Sequence, residues 1–255
     1  YCMKWRLIEM EAYNAAMNMA IDQAVYESVA MERQLPTIRF YKWLPSSVSI
    51  GAYQNRDDID IAACKKSGIG CVRRMTGGRA VFHDKNDFTY SVAAPLRVFD
   101  YGIKNAYAVI CPWIIDALSG IGISAELKNT NDVVVAGKKI SGNASKMMNY
   151  GVYLQHGTLV YGIDYEVMPK ALKISPEIIK ERATGILEHT EIGNDIVYQK
   201  LKNSFIKGKV ISGNGLSEPE IERAERLAVS KYKTIMLPKD HFSKSAGACY
   251  AVHGN

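Results

Sequence analysis

No uninterrupted apolar run in this chain reaches the length of a membrane span, and its opening residues show no secretory pattern. Its five cysteines, Cys2, Cys64, Cys71, Cys111 and Cys249, are widely spaced and contain no CxxC pair. That leaves neither a disulfide framework nor a zinc site to expect, and a reducing cytoplasm is the natural compartment. The GxxxxGK[ST] and GxGxxG nucleotide loops are absent, as is the nucleophile elbow GxSxG. Internal repeats and low-complexity linkers are missing too. The formal charge is +6, but the basic residues are scattered, which gives mild attraction to acidic partners without a nucleic-acid signature.

What the chain does have is 255 residues with 47% hydrophobic side chains, enough for a large globular core. Trp5 to Glu9 reads as a strand, and Asn14 caps a helix whose buried stripe is Met17, Ala20, Ile21, Ala24, Val25, Ser28 and Val29. Asn18 and Asp22 are expected on its solvated face. Strands follow at Thr37 to Tyr41 and Val48 to Ile50, then a short helix from Ile59 to Lys66 and a strand from Gly70 to Met75. Ala80 to His83 and Phe88 to Ala94 read as the next strands of the same group. Ile103 to Leu118 is a helix expected to kink or start late at Pro112. Asp132 to Val135 and Lys138 onward form a hairpin through Ala136-Gly137, and Gly151 to Val160 is a further strand carrying His156, read as structural. Helices at Tyr165 to Leu172, Pro176 to Ala183, Asp195 to Lys207 and Ser217 to Lys231 complete the chain, the last with a capping box. Short strands in groups separated by helices predict an α+β fold with mixed, largely antiparallel sheets flanked by helices.

The organising stretch is Arg73 to Asp84, RRMTGGRAVFHD. Gly77 and Gly78 permit positive φ and close backbone approach. Amides freed at such a turn form an anion-binding nest, and Arg73, Arg74 and Arg79 add forked cationic donors. A plain Gly-Gly hairpin with exposed arginines is the competing reading. Side chains alternate along a strand, so if Ile140 faces the core, Lys138 shares its side. Lys139, paired in direction with Ser141, then faces the opposite side, where a ligand could lie; an exposed hairpin lysine is the bland alternative. A lysine facing a turn that cradles anions suits phosphate or acyl-phosphate chemistry, because preplaced cations stabilise charge without reorganising.

Taken together, RRMTGGRAVFHD, NDVVVAGKKISGNA and NMAIDQA resemble the lipoate–protein ligase A / octanoyltransferase family, over about Trp5 to Tyr232. The resemblance implies the fold shared with biotin protein ligases, which is class II synthetase-like; the GRGRxG signature of the biotin enzymes is missing, which argues against biotin. It implies an enzyme that converts lipoate and ATP to lipoyl-AMP and passes the lipoyl group to a lysine of an acceptor domain. Lys139 matches the family's invariant lysine, expected at both the acyl carbonyl and the phosphate. Arg74, Arg79, Ala80, Val81 and Phe82 match the nucleotide-contacting stretch. Gly77, Gly78 and His83 match the acyl-pocket lining, and Asn131 and Asp132 match the pair near the nucleotide, with Asp132 the expected magnesium ligand. ATP and lipoate are then substrates, and no tightly bound cofactor is expected.

Two departures bear on the reaction. Arg79 stands where many ligases have a third glycine, and GGRAV with Gln155-His156-Gly157 is similar to the ATP-independent octanoyltransferases. The bacterial transferases of this layout use a cysteine just upstream of the GKK strand, however, and Leu127 to Asp132 contains none. Covalent acyl transfer needs a thiolate beside the carbonyl, so the ligase is the first expectation, a transferase the second, and a non-catalytic lipoate- or acceptor-binding subunit the third. Ligases of the family continue past a Lys-Tyr pair into an accessory domain. Here Lys231-Tyr232 is followed by a short stretch, so residues 3–234 are expected to form the catalytic domain, 235–255 a tail, and a separate small protein to supply the accessory part.

Overall fold

The computed structural model describes residues 3–147 and 151–233, so the expected tail lies outside the described residues. In chain order the elements are β1 (Lys4–Tyr13), α1 (Ala15–Ala30), β2 (Thr37–Trp43), β3 (Ser47–Ile50), α2 (Ile61–Lys66), β4 (Gly70–Arg73), β5 (Val81–His83) and β6 (Phe88–Pro95). These are followed by α3 (Ile103–Ser119), β7 (Glu126–Lys128), β8 (Asp132–Val135), β9 (Lys138–Met147) and β10 (Val152–Leu159). The chain continues through α4 (Met168–Leu172), α5 (Pro176–Arg182), α6 (Asn194–Ile206), β11 (Val210–Asn214) and α7 (Glu218–Ser230).

An eight-stranded sheet runs in the order β11-β1-β2-β6-β10-β9-β8-β7, and a three-stranded sheet in the order β4-β3-β5. Pairing is parallel between β1 and its neighbours β11 and β2, and between β3 and β4; the other pairs are antiparallel. The α+β, largely antiparallel expectation therefore holds.

The central strands β2, β6 and β10 of the large sheet are buried on both faces, which explains why β2 reads TIRFYKW rather than a clean apolar–polar alternation. Ile38 and Phe40 point into a core with Ile110 and Ile114 of α3 and Leu201 and Phe205 of α6. Tyr41 and Trp43, one pleat step away, point into a second core with α1 and α7. The small sheet packs Val48, Ile50, Cys71 and Phe82 against α2 and α4 in a third. Asn14 caps α1 by accepting the Met17 amide, and the capping box of Ser217 and Glu220 opens α7. Glu220 also takes two hydrogen bonds from Arg6, buried with it, which ties α7 to β1.

Four expectations are corrected. The Arg/Gly segment is no hairpin: β4 and β5 do not pair but flank β3. β6 does not extend that group but sits in the middle of the large sheet, between β2 and β10. α3 starts at Ile103, the expected residue, and continues through Pro112, so the later start is excluded. Asn18 and Asp22 are buried, not solvated, because α1 is sandwiched between the sheet and α7 and has no broad free face. Strand β11, an exposed edge of sequence VISGN, carried no periodic signal.

Candidate active site

A cavity of about 300 Å³ lies where the β4–β5 crossing meets strands β8, β9 and β10 of the large sheet. Its wall combines segments that are far apart in sequence. Arg74, Gly78, Arg79, Ala80, Val81 and His83 come from the crossing and β5; Asn131, Asp132 and Lys139 come from the β8–β9 hairpin. Of the expected site residues, Gly77 and Phe82 do not line it. Phe82 turns the other way, into the small sheet's core, because β5 alternates.

Lys139 owes its direction to an irregularity. The β8–β9 register pairs Val133 with Ser141 but Val134 with Lys139, so Ile140 is the extra residue of a bulge. Directly paired residues share a face, so Ser141 lies on the side of Val133 and Lys139 on the opposite side. The expected shared face of Lys139 and Ser141 is thus corrected, while Lys138 and Lys139 do face opposite ways. Ser141 and Ile140 are fully buried, and Lys139 reaches into the cavity with its side chain half-exposed. Its amine sits 2.5 Å from Asp132 Oδ1, an ion pair that is off the line of a hydrogen bond. Gly142 makes room for it: a Cβ there would stand 2.5 Å from Lys139 Cε. Asn131 and Asn143 lock the hairpin, each donating its side-chain amide to the other's carbonyl at 2.7 and 2.9 Å.

Arg74 does something different from what its charge suggests. All five of its N–H donors are committed to the protein. Nε donates to Thr76 Oγ1, Nη1 to the carbonyl and hydroxyl of Ser49, and Nη2 to the carbonyls of Gly77 and Arg79. It therefore shapes the crossing and adds charge to the cavity without a donor to spare. Burial lowers its pKa to about 10, so it remains a cation at neutral pH. Arg79 is exposed, and among the described residues its side chain has no partner. Nor do the backbone amides of Gly77, Gly78, Arg79 and Ala80 have one among them. A free guanidinium beside unclaimed N–H groups is an anion site in the sense of a backbone nest.

The crossing rests on a second loop. The Ala52 amide donates to the Thr76 carbonyl at 2.9 Å, and Arg73 Nη1 holds the carbonyls of Gly51 and Gln54. Gly51 and Gly78 approach so closely that a Cβ on Gly51 would lie 1.9 Å from the Gly78 oxygen. Gly78 itself has φ +98°, a conformation that favours glycine. Gly51→Ala is expected to displace the crossing and weaken ligand binding by at least about tenfold, at a cost to stability of roughly 1–3 kcal/mol. Titration of the variant with an anionic ligand, beside thermal unfolding, checks it; unchanged affinity would count against a fixed crossing.

The rest of the cavity is a buried polar floor and an apolar wall. His83 stacks on Trp43 with ring centroids 4.1 Å apart, and its two nitrogens contact Ser49 Oγ at 2.8 Å and Thr158 Oγ1 at 3.0 Å. Burial, then the charge of Arg74, push its pKa well below the ordinary imidazole value, so the ring is neutral. His156 contacts Thr76 Oγ1 at 2.7 Å and Asp22 Oδ2 at 3.1 Å. Met19, Tyr41, Trp43, Ala144 and Gly157 supply the apolar contribution. Gly157 is required by close packing: a Cβ would meet Asn143 Oδ1 at 1.9 Å. Met19, Tyr41 and Trp43 carry no site signal in the sequence, since they follow the periodicity of buried elements; only the meeting of two sheets exposes them to a shared cavity.

Cys64, Cys71 and Cys111 are all buried and none lines the cavity. The Cys111 thiol is pushed up to about 12 by burial, which leaves it inert near neutral pH. Among the described residues no group of three metal-ligating side chains is found, and Asp132 is the only carboxylate on the cavity wall.

Comparison with known proteins matches this architecture to a named group. Residues 14–215 match the family model described as lipoyl protein ligase A/B catalytic domain. The octanoyltransferase LipM of Clostridioides difficile is 34% identical over 80% of this chain and 85% of its own length. That of Anoxybacillus flavithermus is 33% identical over 90% and 96%. Among solved structures, lipoate-protein ligase A bound with ATP superposes with a TM-score of 0.80 at 28% identity, covering 91% of this chain and 97% of that one. The bipartite lipoate protein ligase of Thermoplasma acidophilum, solved in a study with its E2 lipoyl domain, superposes with a TM-score of 0.81 at 27% identity, covering 91% and 95%. With most of its length matched by the family model and by relatives above 30% identity, the chain belongs to the lipoyl protein ligase A/B family.

Proposed function

We propose that this chain attaches an eight-carbon acyl group, lipoyl or octanoyl, to a lysine of a lipoyl acceptor domain, using an acyl adenylate that it forms from ATP. The observation that supports it is the convergence, on one cavity, of the Lys139 amine, the unpartnered Arg79 guanidinium and the residues Gly78, Arg79 and Ala80 with their unclaimed amides, with no thiol on the wall among the described residues.

In the first step a carboxylate oxygen of the fatty acid attacks the α-phosphorus of ATP. The bond from that phosphorus to the bridging oxygen breaks, and pyrophosphate leaves with the electron pair. Negative charge gathers on the phosphorus oxygens, where Arg79, the Gly78–Ala80 amides and Lys139 would stabilise it. The acyl chain would run along Met19, Tyr41, Trp43 and Ala144, as suits an apolar slot with polar groups at one end. In the second step the acceptor lysine's ε-amine attacks the carbonyl carbon, AMP leaves with the C–O bond pair, and the amide nitrogen loses its proton. Lys139 would polarise that carbonyl. Magnesium, which shields phosphate charge, needs only one or two protein carboxylates beside the phosphates; Asp132 would hold it.

A second reading has its own support. The curated relatives are octanoyltransferases, and their names weigh towards transfer from a carrier thioester, without nucleotide. A binding subunit without catalysis is the third. One assay separates them: mass spectrometry of an acceptor domain incubated with this protein and either lipoate plus ATP or an octanoyl carrier protein, each with and without a candidate accessory subunit. Modification that requires ATP, with lipoate-dependent pyrophosphate release, is the expected result. Nucleotide-independent transfer from the carrier would replace it with the transferase. If the accessory part is a separate protein, adenylation by this chain alone will be weak; strong lipoyl-AMP formation without a partner removes that proposal.

A further inference from the structure

The cavity floor is joined to helix α1 by a chain of buried hydrogen bonds that the reaction does not by itself demand. Asp22, 1% exposed, accepts from four groups. Arg39 Nη1 and Ser91 Oγ reach Oδ1 at 2.7 and 2.8 Å; Tyr41 Oη and His156 Nδ1 reach Oδ2 at 2.9 and 3.1 Å. A carboxylate with four donors is saturated and can only accept. His156 must then carry its hydrogen on Nδ1, and in the neutral ring Nε2 becomes an acceptor. The partner at Nε2 is Thr76 Oγ1, 2.7 Å away. Thr76 therefore gives its hydroxyl hydrogen to His156 and keeps its lone pairs for Arg74 Nε, 3.1 Å away. Arg74 in turn grips the carbonyls of Gly77 and Arg79. Every donor direction from α1 to the glycine crossing is fixed by its neighbour.

We propose that Asp22, His156 and Thr76 are positioning residues that hold the Gly77–Ala80 amides in their anion-binding arrangement, so that affinity for the anionic part of the acyl donor is set from α1. The relay acts through Arg74 and the crossing, and it rests on reading this cavity as the donor site. Thr76 is fully buried and is not itself on the wall; its hydroxyl meets the wall only through Arg74 and His156, so it influences the donor by orienting those two side chains and the turn that Arg74 grips.

The test uses the whole chain and a non-hydrolysable lipoyl-adenylate analogue with a sulfamoyl linkage. Thr76→Val keeps the shape and removes the hydroxyl; Thr76→Ser keeps the hydroxyl. Loss of one buried hydrogen bond in a charged network predicts at least about a tenfold rise in Kd for Thr76→Val, with Thr76→Ser within about threefold of wild type. Nitrogen-15 spectra of the unmodified protein supply a readout that needs no variant to fold: His156 is expected as the Nδ1-protonated tautomer. Wild-type affinity in Thr76→Val, equal weakening in Thr76→Ser, or an Nε2-protonated ring would each overturn the relay. Should the wild-type protein bind no analogue, the adenylate reading falls, and the same variants are read on octanoyl transfer from a carrier thioester. There a tenfold fall in kcat/KM for Thr76→Val, rescued in Thr76→Ser, supports the relay, and unchanged kcat/KM in Thr76→Val ends it.

Discussion

Lys139→Met is expected to slow acyl transfer by about 10²–10³-fold, the size of effect found when a preplaced charge at a reacting centre is removed. Methionine keeps the length and apolar stem and loses the amine alone. Folding should hardly change. The side chain is 47% exposed, and the partly exposed pair with Asp132 is the kind that contributes about 0–1 kcal/mol. Initial rates of acceptor modification, followed by mass spectrometry beside a thermal melt, measure both quantities on one sample. Transfer at the wild-type rate would remove Lys139 from the chemistry, and a large loss of stability would reassign it to the fold.

A large loss of stability is expected for Asp22→Ala, about 3–5 kcal/mol, the cost of leaving a buried charge without its partner. Arg39 is 0% exposed, its Nε already lacks a hydrogen bond, and without Asp22 its guanidinium would keep only the side-chain and backbone oxygens of Asn18. Burial alone would raise the Asp22 pKa. The His156 hydrogen bond and the Arg39 charge outweigh it and hold the carboxyl below its ordinary 3.8. A depressed folded value means the unfolded chain takes up the proton first. The contribution is therefore complete above about pH 4 and disappears as the pH falls through the folded value. Urea denaturation of wild type and variant at neutral pH and in acid would show a gap that narrows in acid. A neutral-pH difference under about 1 kcal/mol would mean that the relay is not what holds α1 to the sheet.

The sequence carries the class of the fold and the two segments of the cavity that bear its charge. RRMTGGRAVFHD and the GKK hairpin are legible because glycine, arginine and lysine at fixed offsets leave few structural alternatives. Their meeting in space could be expected only through the family resemblance, since β4–β5 and β8–β9 belong to different sheets. Helix caps at Asn14 and Ser217 were readable because capping is local. Asp22 was not: a carboxylate within a helix reads as solvated unless the groups it faces are known, and here those are Arg39, Tyr41, Ser91 and His156 of the large sheet, the last of them 134 residues away in the chain. The bulge at Ile140 hid for a related reason. Strict alternation is the only pattern a strand sequence displays, and an inserted residue shows itself only in the partner's register.

The order β4-β3-β5 has a consequence for the length of the glycine segment. Passing over one intervening strand covers about 9–10 Å, which three extended residues can bridge. The chain spends residues 74–80 on the passage, more than twice that number. The surplus cannot lie flat, so it arches, and the arch is where the unclaimed amides sit. Had the two strands been direct neighbours, a two-residue turn would have closed them and left no slack to curve around a guest. Strand order, rather than glycine content alone, is what gives this segment its slack, and only the loss of about four of its residues would leave it no longer than the span over β3 requires.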